Sequence, residues 1–423
     1  MHETFELMPG VTLRCIRDRR FKQGCLSLQL LRPMCQEEAA LNALIPAVLL
    51  RGCENYPDLK RITERLDELY GASVGTLVRR IGDYQTTGLY CGFMEDRFAF
   101  AQDKVLEPMI DFVRQLLLCP IIQDGGFSRE FVESEKRNLI SVIESERSDK
   151  RAYAASQLLK QMCGNDSFGV PRLGQIDQVE RIEPLAAYAH YQKLLRESPV
   201  ELFYVGSAEP EQVAQLLRPL FAVLQRRVQP LPPQSALKTG CGSCKIEAQE
   251  ITQAKLAMGF VTEVDSRHEG FAAMQVLHMI FGGGMTSKLF MQVREKMSLC
   301  YAIGSAYYSS KGILTVHAGI DTACKDACRE AILAQLEECR RGKISQQELT
   351  SAKESILSGL RAVYDSPGAM ENYFSTMAIS GTQRTPETYR SQVEAVDLNA
   401  VVAAAKSLQL HSEFFLKGGR QDG

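Results

Sequence analysis

A proline-rich break at the midpoint is the feature that most narrows what this chain folds into. Val228-Gln229-Pro230-Leu231-Pro232-Pro233-Gln234-Ser235 runs on to Lys238-Thr239-Gly240. Proline has no amide donor and fixes φ, so regular structure does not persist through such a stretch. It divides 423 residues into two parts, each about 200 residues and large enough to form its own core. The two parts also match each other. Lys136-Arg137-Asn138-Leu139-Ile140-Ser141 parallels Lys353-Glu354-Ser355-Ile356-Leu357-Ser358, and Gln178-Val179-Glu180-Arg181-Ile182-Glu183 parallels Gln392-Val393-Glu394-Ala395-Val396-Asp397, at offsets of 217 and 214 residues. An earlier pair sets Glu38–Gly52 against Glu269–Gly283 at an offset of 231. Three matches in the same order indicate duplication, with extra residues in the first half.

Within each half the pattern is α+β. Val11–Ile16, Cys25–Leu31, Gly88–Phe93 and Leu202–Val205 are short, rich in β-branched or aromatic residues and bounded by Gly, Pro or charge, as strands are. Glu37–Leu50, Leu59–Leu69, Lys104–Leu118 and Ser128–Glu146 repeat apolar residues at the helical period. The second half follows suit. Strands are expected at Leu256–Val261, Tyr301–Tyr307 and Leu314–Ile320, and helices at Glu269–Ile280, Ala323–Cys339 and Gln346–Tyr364. Such mixtures fold as sheets covered by helices. The expected domains are 1–227 and 246–423, with a linker at 228–245.

Charge removes one functional class. Lys+Arg is 49 and Asp+Glu is 51, so the net charge of −2 argues against a generally basic nucleic-acid binder. No window holds about 18 uninterrupted apolar residues, so no membrane span is expected. The acidic start Met1-His2-Glu3-Thr4-Phe5-Glu6 lacks the apolar region of a secretory signal. The expected location is cytoplasmic. The 13 cysteines are scattered and odd in number, which reads as small buried hydrophobes rather than a disulfide framework.

The inventory of reactive groups is sparse. The histidines are His2, His190, His268, His278, His317 and His411, and no two are spaced as a zinc pair. Cys241-Gly242-Ser243-Cys244 is a single CxxC in the linker, and a zinc site needs two more ligands. Cys324 and Cys328 are four apart on a helix, and Cys328, Ile332, Leu336 and Cys339 continue one apolar stripe, which points to a buried face. His278 falls inside an apolar helix and reads as a core histidine. Gly282-Gly283-Gly284 lacks the Lys-Ser/Thr of a phosphate loop and reads as a helix end.

One constellation resembles a known family. Phe281-Gly282-Gly283-Gly284-Met285-Thr286-Ser287-Lys288-Leu289-Phe290, then Val293-Arg294-Glu295-Lys296, then Leu299-Cys300-Tyr301, is similar to the second-half signature of the M16 peptidases. These are the insulinase, pitrilysin and mitochondrial-processing-peptidase-like proteins. Arg51-Gly52, Leu66-Asp67-Glu68-Leu69-Tyr70-Gly71-Ala72 and Tyr204-Val205-Gly206 fit the first half. The likeness covers nearly the whole chain and is greatest to the small bacterial YmfF-like branch. It implies two homologous halves, each a mainly antiparallel sheet covered by helices, forming a clam-shaped chamber.

It also implies chemistry, and one part of that chemistry is missing. The family motif His-x-x-Glu-His puts two zinc ligands and a general base on one helix face. Counting back from Gly52, those positions hold Ala43, Pro46 and Ala47. The third family ligand falls near Val142–Glu144, and Glu144 alone would bind nothing. So no catalytic residue and no metal ligand is expected, and zinc is expected only on a partner. Arg294 and Tyr301 match the positions where the family holds substrate. A guanidinium and a phenol both suit peptide carbonyls; by residue type alone they are equally a surface Arg and a core Tyr. The resemblance implies an inactive, peptide-binding subunit of a heteromeric zinc peptidase, paired with a zinc-competent sibling. The alternative is a non-proteolytic peptide-binding or scaffold protein, as a homodimer.

Overall fold

The computed structural model describes residues 2–164, 166–238, 242–382 and 384–419. Thr239, Gly240 and Cys241, and with them half of the CxxC, lie outside the described residues. The first sheet holds β1 (His2–Met8), β2 (Val11–Arg17), β3 (Gln23–Pro33), β4 (Ser73–Ile81) and β5 (Tyr84–Met94). A two-residue hairpin, β6 (Ile122–Gln123) and β7 (Gly126–Phe127), stands apart from it, and β8 (Val200–Gly206) returns to it. The strand order is β1-β2-β8-β3-β5-β4. Only β2 and β8 pair in parallel.

Alternation on β3 decides which face is which. Leu26, Leu28 and Leu30 join the core formed with the Gln36–Leu49, Leu106–Leu118, Pro184–Glu197 and Pro210–Ala222 helices. Leu28 sits opposite Leu89 on one side and Leu202 on the other. Fully burying each such leucine is worth about 1.5–3 kcal/mol. Ser27 and Gln29, between them, face the opposite way and are equally buried.

The second sheet holds β9 (Cys244–Gln249), β10 (Ala254–Val261), β11 (Ala302–Tyr308), β12 (Ile313–Ile320) and β13 (Gln409–Gly418), in the order β11-β12-β10-β13-β9. Again one pair is parallel, β13 with β9. The order repeats β4-β5-β3-β8-β2 strand for strand, with β1 added to the first half. The matched lysines repeat too. Lys136 Nζ donates to Ile182 O at 3.1 Å, and Lys353 Nζ donates to Glu394 O at 2.9 Å. Lys136 ties its long helix to the turn just past the Ile176–Glu180 helix, and Lys353 ties its own to the Pro386–Ala395 helix.

By contacts the chain forms two units that exchange segments. One gathers the chain up to Glu144, Val170–Gln234 and Tyr364–Ile379; the other gathers Ser145–Gly169, Ser235–Val363 and the chain from Ser380 on. The Lys150–Met162 helix, from the first half of the sequence, packs on β10 and β13. There Ala154, Leu158 and Met162 meet Ala257, Phe414 and Leu416. The Pro367–Ser380 helix, from the second half, lies on the first sheet, where Met370 meets Ile16, Cys25 and Val205. The contact units therefore cut across the contiguous ranges 1–227 and 246–423, which remain our proposal for the duplicated units. The proline stretch is irregular through Lys238, and β9 begins at Cys244, inside the expected linker. The sequence also left β1, β4, β6, β7, β9 and β13 unassigned.

The cysteine and histidine expectations match their surroundings. Cys328, Ile332, Leu336 and Cys339 are all buried. His278 bonds Ser305 O through Nε2 at 3.1 Å, and burial lowers its pKa.

Candidate functional site

The Gln36–Leu49 helix is where a zinc motif would stand. Ala43 and Pro46 are buried in it and Ala47 is half-buried. Pro46 lacks the amide that would bond Asn42 O. That carbonyl instead accepts from Thr87 Oγ1 on β5, which explains how the helix tolerates the proline. Around Asn42 the polar groups close on themselves. Asn42 Nδ2 donates to Gln85 Oε1 at 2.9 Å, and Asn42 Oδ1 accepts from His190 Nε2 at 2.8 Å. Gln85 Nε2 donates to Ala39 O at 3.0 Å and Arg172 O at 2.6 Å. Burial lowers the His190 pKa to about 4, so the ring is neutral at pH 7. Glu144 is exposed near the end of the Arg129–Ser148 helix. Among the described residues no three His, Cys, Asp or Glu side chains group to hold a metal. The residues at the motif positions do not fit zinc, which needs at least three donor side chains. Sequence reasoning missed the Asn42 network; its one visible signal is an asparagine inside the apolar run Ala39–Leu44.

The other candidate site lies on the second sheet, and the structure brings its two residues together. Leu289–Lys296 is a π-helical segment, widened so that Met297 N bonds Gln292 O at 2.9 Å. Such insertions concentrate at functional sites. The chain leaves it through Ser298, at φ 52°, and enters β11. Arg294 Nε donates to Tyr301 O at 3.0 Å, Nη1 lies 3.2 Å from Glu295 Oε1, and the guanidinium stacks over the Phe290 ring at 4.6 Å. Tyr301 is 58% exposed, which excludes the core-tyrosine reading. Its hydroxyl donates to Asp321 Oδ2 at 3.0 Å, and that bond raises its pKa and keeps it protonated. The geometry changes one expected role. With its proton given to Asp321, the phenol presents lone pairs outward, while the guanidinium presents N–H groups.

The comparisons agree on one family likeness. The description "Peptidase M16 inactive domain" matches residues 182–356. A Bacillus subtilis (strain 168) protein named Probable inactive metalloprotease YmfF is 27% identical over 409 residues, 97% of this chain and 96% of its own. The chain is similar to M16 peptidase-like proteins over nearly its whole length. Its relation to the YmfF-like M16 branch extends to the fold. The crystal structure of a conserved protein from Enterococcus faecalis V583 matches with a TM-score of 0.92 at 27% identity, covering 100% of both chains. A peptidase M16 inactive domain from Pseudomonas fluorescens matches with a TM-score of 0.82 at 16% identity, over 99% of this chain and 98% of that one, and shares the fold. This M16-like chain lacks the His-x-x-Glu-His motif. No helix among the described residues is long and apolar enough to cross a membrane.

Proposed function

We propose that this chain is the peptide-holding, zinc-free subunit of a two-subunit M16 peptidase. The exposed Arg294–Tyr301 pair carries the reading. One group donates and the other accepts, as a peptide bond requires of its partners. The pair stands at the start of β11, an edge strand, where an extended peptide has main-chain partners. Zinc and the general base come from a zinc-competent sibling subunit, and this chain holds neither. The reading places the complex in the cytoplasm, with no nucleic acid as partner.

The test is reconstitution. The natively expressed chain copurifies with a sibling carrying an intact zinc motif, and the pair cleaves unstructured peptides. A charged hydrogen bond to substrate is worth about 1.5–3 kcal/mol, so Arg294→Ala lowers turnover about 10- to 150-fold. Tyr301→Phe lowers it less, since only the hydroxyl is lost. Full activity in both variants removes the pair from the site. A second reading, a non-proteolytic peptide-binding scaffold, is favoured by the closed Asn42 network, which leaves the first half no catalytic group. Copurification of a homodimer that binds but does not cleave peptide selects it.

A further inference from the structure

The second sheet carries another set of groups that neither the family likeness nor the Arg294–Tyr301 pair accounts for. A cavity of about 80 Å³ lies between the first turns of the Lys150–Met162 helix and strands β10, β12 and β11. Its walls include Arg151, Ala154, Lys255, Ala302, His317 and Gly319. The room comes from small side chains. His317 is flanked across the sheet by Ala257 and Gly304, and Lys255 by Gly319, opposite which stands Ala302. A Cβ on Gly319 would stand 2.8 Å from Gln253 Oε1 and 3.4 Å from Lys255 Nζ. Arg151 and Ala302 are exposed and form the mouth.

The lining has an excess of positive charge and an unmet hydrogen bond. The backbone N–H of Arg151 donates to the capping Asp149, and its guanidinium has no partner among the described residues. Lys255 Nζ bonds a neutral group, Gln253 Oε1, at 2.5 Å. The one carboxylate acting on Lys255 is Asp149, already bonded to the amides of Arg151 and Ala152. His317 Nε2 bonds Thr315 Oγ1 at 2.9 Å, while Nδ1 is buried without a partner. A buried polar atom left unpaired weakens the fold, and a ligand that pairs it recovers that loss.

We propose that this cavity is a carboxylate pocket that receives a peptide's C-terminal carboxylate or an acidic side chain. The proposal rests on the peptide-holding reading and places the anchor beside it, because Ala302 directly follows Tyr301 and Tyr301 N bonds Gly319 O at 2.8 Å. A carboxylate and one or two carbons enter a space of this size, since a single water needs only about 10–15 Å³ of such volume. Arg151 and Lys255 supply charge, and a protonated His317 donates from Nδ1. Burial lowers the pKa of both Lys255 and His317, the latter to about 4. A bound carboxylate opposes both shifts.

The experiment uses the full chain in two stages. Sodium acetate is titrated while the His317 ring is followed by NMR. Its midpoint is expected to rise by about one pH unit, and Arg151→Gln with Lys255→Gln is expected to abolish the rise. Peptides of one sequence, as free acid and as C-terminal amide, are then compared by calorimetry. A free acid binding about tenfold tighter, with the preference lost in the double variant, supports the pocket and names the C-terminus. Equal binding of acid and amide, with loss on Glu→Gln change in the peptide and in the double variant, supports the pocket and names a side chain. Peptide binding indifferent to both changes overturns the pocket and leaves the peptide-holding reading standing. Acetate moving His317 while no peptide binds overturns that reading and keeps a carboxylate site. An unmoved His317 overturns the pocket outright.

Discussion

The helices Gln36–Leu49 and Phe271–Phe281 hold the same place in the element order of their halves, yet their surroundings differ. In the first, Asn42, Gln85, Thr87 and His190 pair with one another inside the core, and the helix face that bears a zinc motif elsewhere in the family is alanine and proline. In the second, the chain runs through Gly282-Gly283-Gly284 into the π-helical segment that holds Arg294 against Tyr301 in the open. One fold, duplicated, keeps its polar groups for internal packing in one copy and presents them to solvent in the other. A helix face without ligand side chains therefore leaves no hole. Ala43 and Pro46 are buried in apolar packing, and the nearby polar groups satisfy each other.

The units are alike in how each holds its exchanged segment, and this is where the largest effects are expected. Asp166 bridges to Lys311 Nζ at 3.1 Å with both side chains at or near zero exposure, and it also accepts from Phe168 N and Lys238 N. Glu371 bridges to Arg79 at 2.9 Å and accepts from Ser27 Oγ and Gln29 Nε2. Removing one partner of a buried pair costs about 3–5 kcal/mol, because the remaining charge stays buried. Asp166→Ala is expected to fall in that range by urea melts. Glu371→Ala is expected to cost less, about 2–3 kcal/mol, because Arg79 is 27% exposed and water reaches it. Equal losses would break the parallel by showing that solvent access to the cation is irrelevant.

Acid separates the units next. The folded His190 value of about 4 lies below its ordinary 6.5, so the unfolded chain takes the proton first. Its contribution is complete above pH 6.5 and is lost as the pH falls through 4, about 3 kcal/mol in all. His317, in the other unit, also sits near 4 and acts with the same sign. His190→Gln is expected to flatten the pH dependence of the first unit alone, as read by amide exchange at pH 7, 5 and 4. Flattening in both would show that the units do not unfold separately.

Two smaller tests sharpen the comparison. Thr87→Val removes the hydroxyl that replaces the amide missing at Pro46, and leaves Asn42 O unpaired. The expected cost is about 1–2 kcal/mol, checked by the urea midpoint of the first unit. The last test concerns left-handed residues at matching helix exits, Tyr70 at φ 61° and Ser298 at φ 52°. Ser298→Gly relieves backbone strain and is expected to gain about 0.5 kcal/mol, net of the entropy glycine loses on folding. Tyr70→Gly is expected to gain nothing, since the Tyr70 hydroxyl bonds Asp103 Oδ2 at 2.5 Å and receives Phe100 N at 3.1 Å.

Much of this protein was legible in one dimension because the deciding information is local. Apolar spacing marked the long helices and central strands, and the matched lysines marked the duplication. Residue identity alone placed Ala43, Pro46 and Ala47 where zinc ligands would stand, since no folding turns alanine into a ligand. Arg294 and Tyr301 are seven residues apart, and a single turn between helix and strand brings them together. What lay beyond reading depends on distance through space. The Lys150–Met162 and Pro367–Ser380 helices went unassigned in the sequence, and even an apolar stripe would not say which sheet they cover, because any apolar sheet face satisfies the same pattern. Asn42 meets His190 across 148 residues, and Lys311 meets Asp166 across 145. Arg151, Lys255 and His317 share a cavity only after the exchanged helix docks on the second sheet. The sequence determined two like halves and put Ala43, Pro46 and Ala47 on the first long helix. Tertiary packing decided which buried charges clasp each unit and where one imidazole nitrogen is left without a partner beside a cavity, because hydrogen bonds and charges act over a few ångströms whatever the separation along the chain.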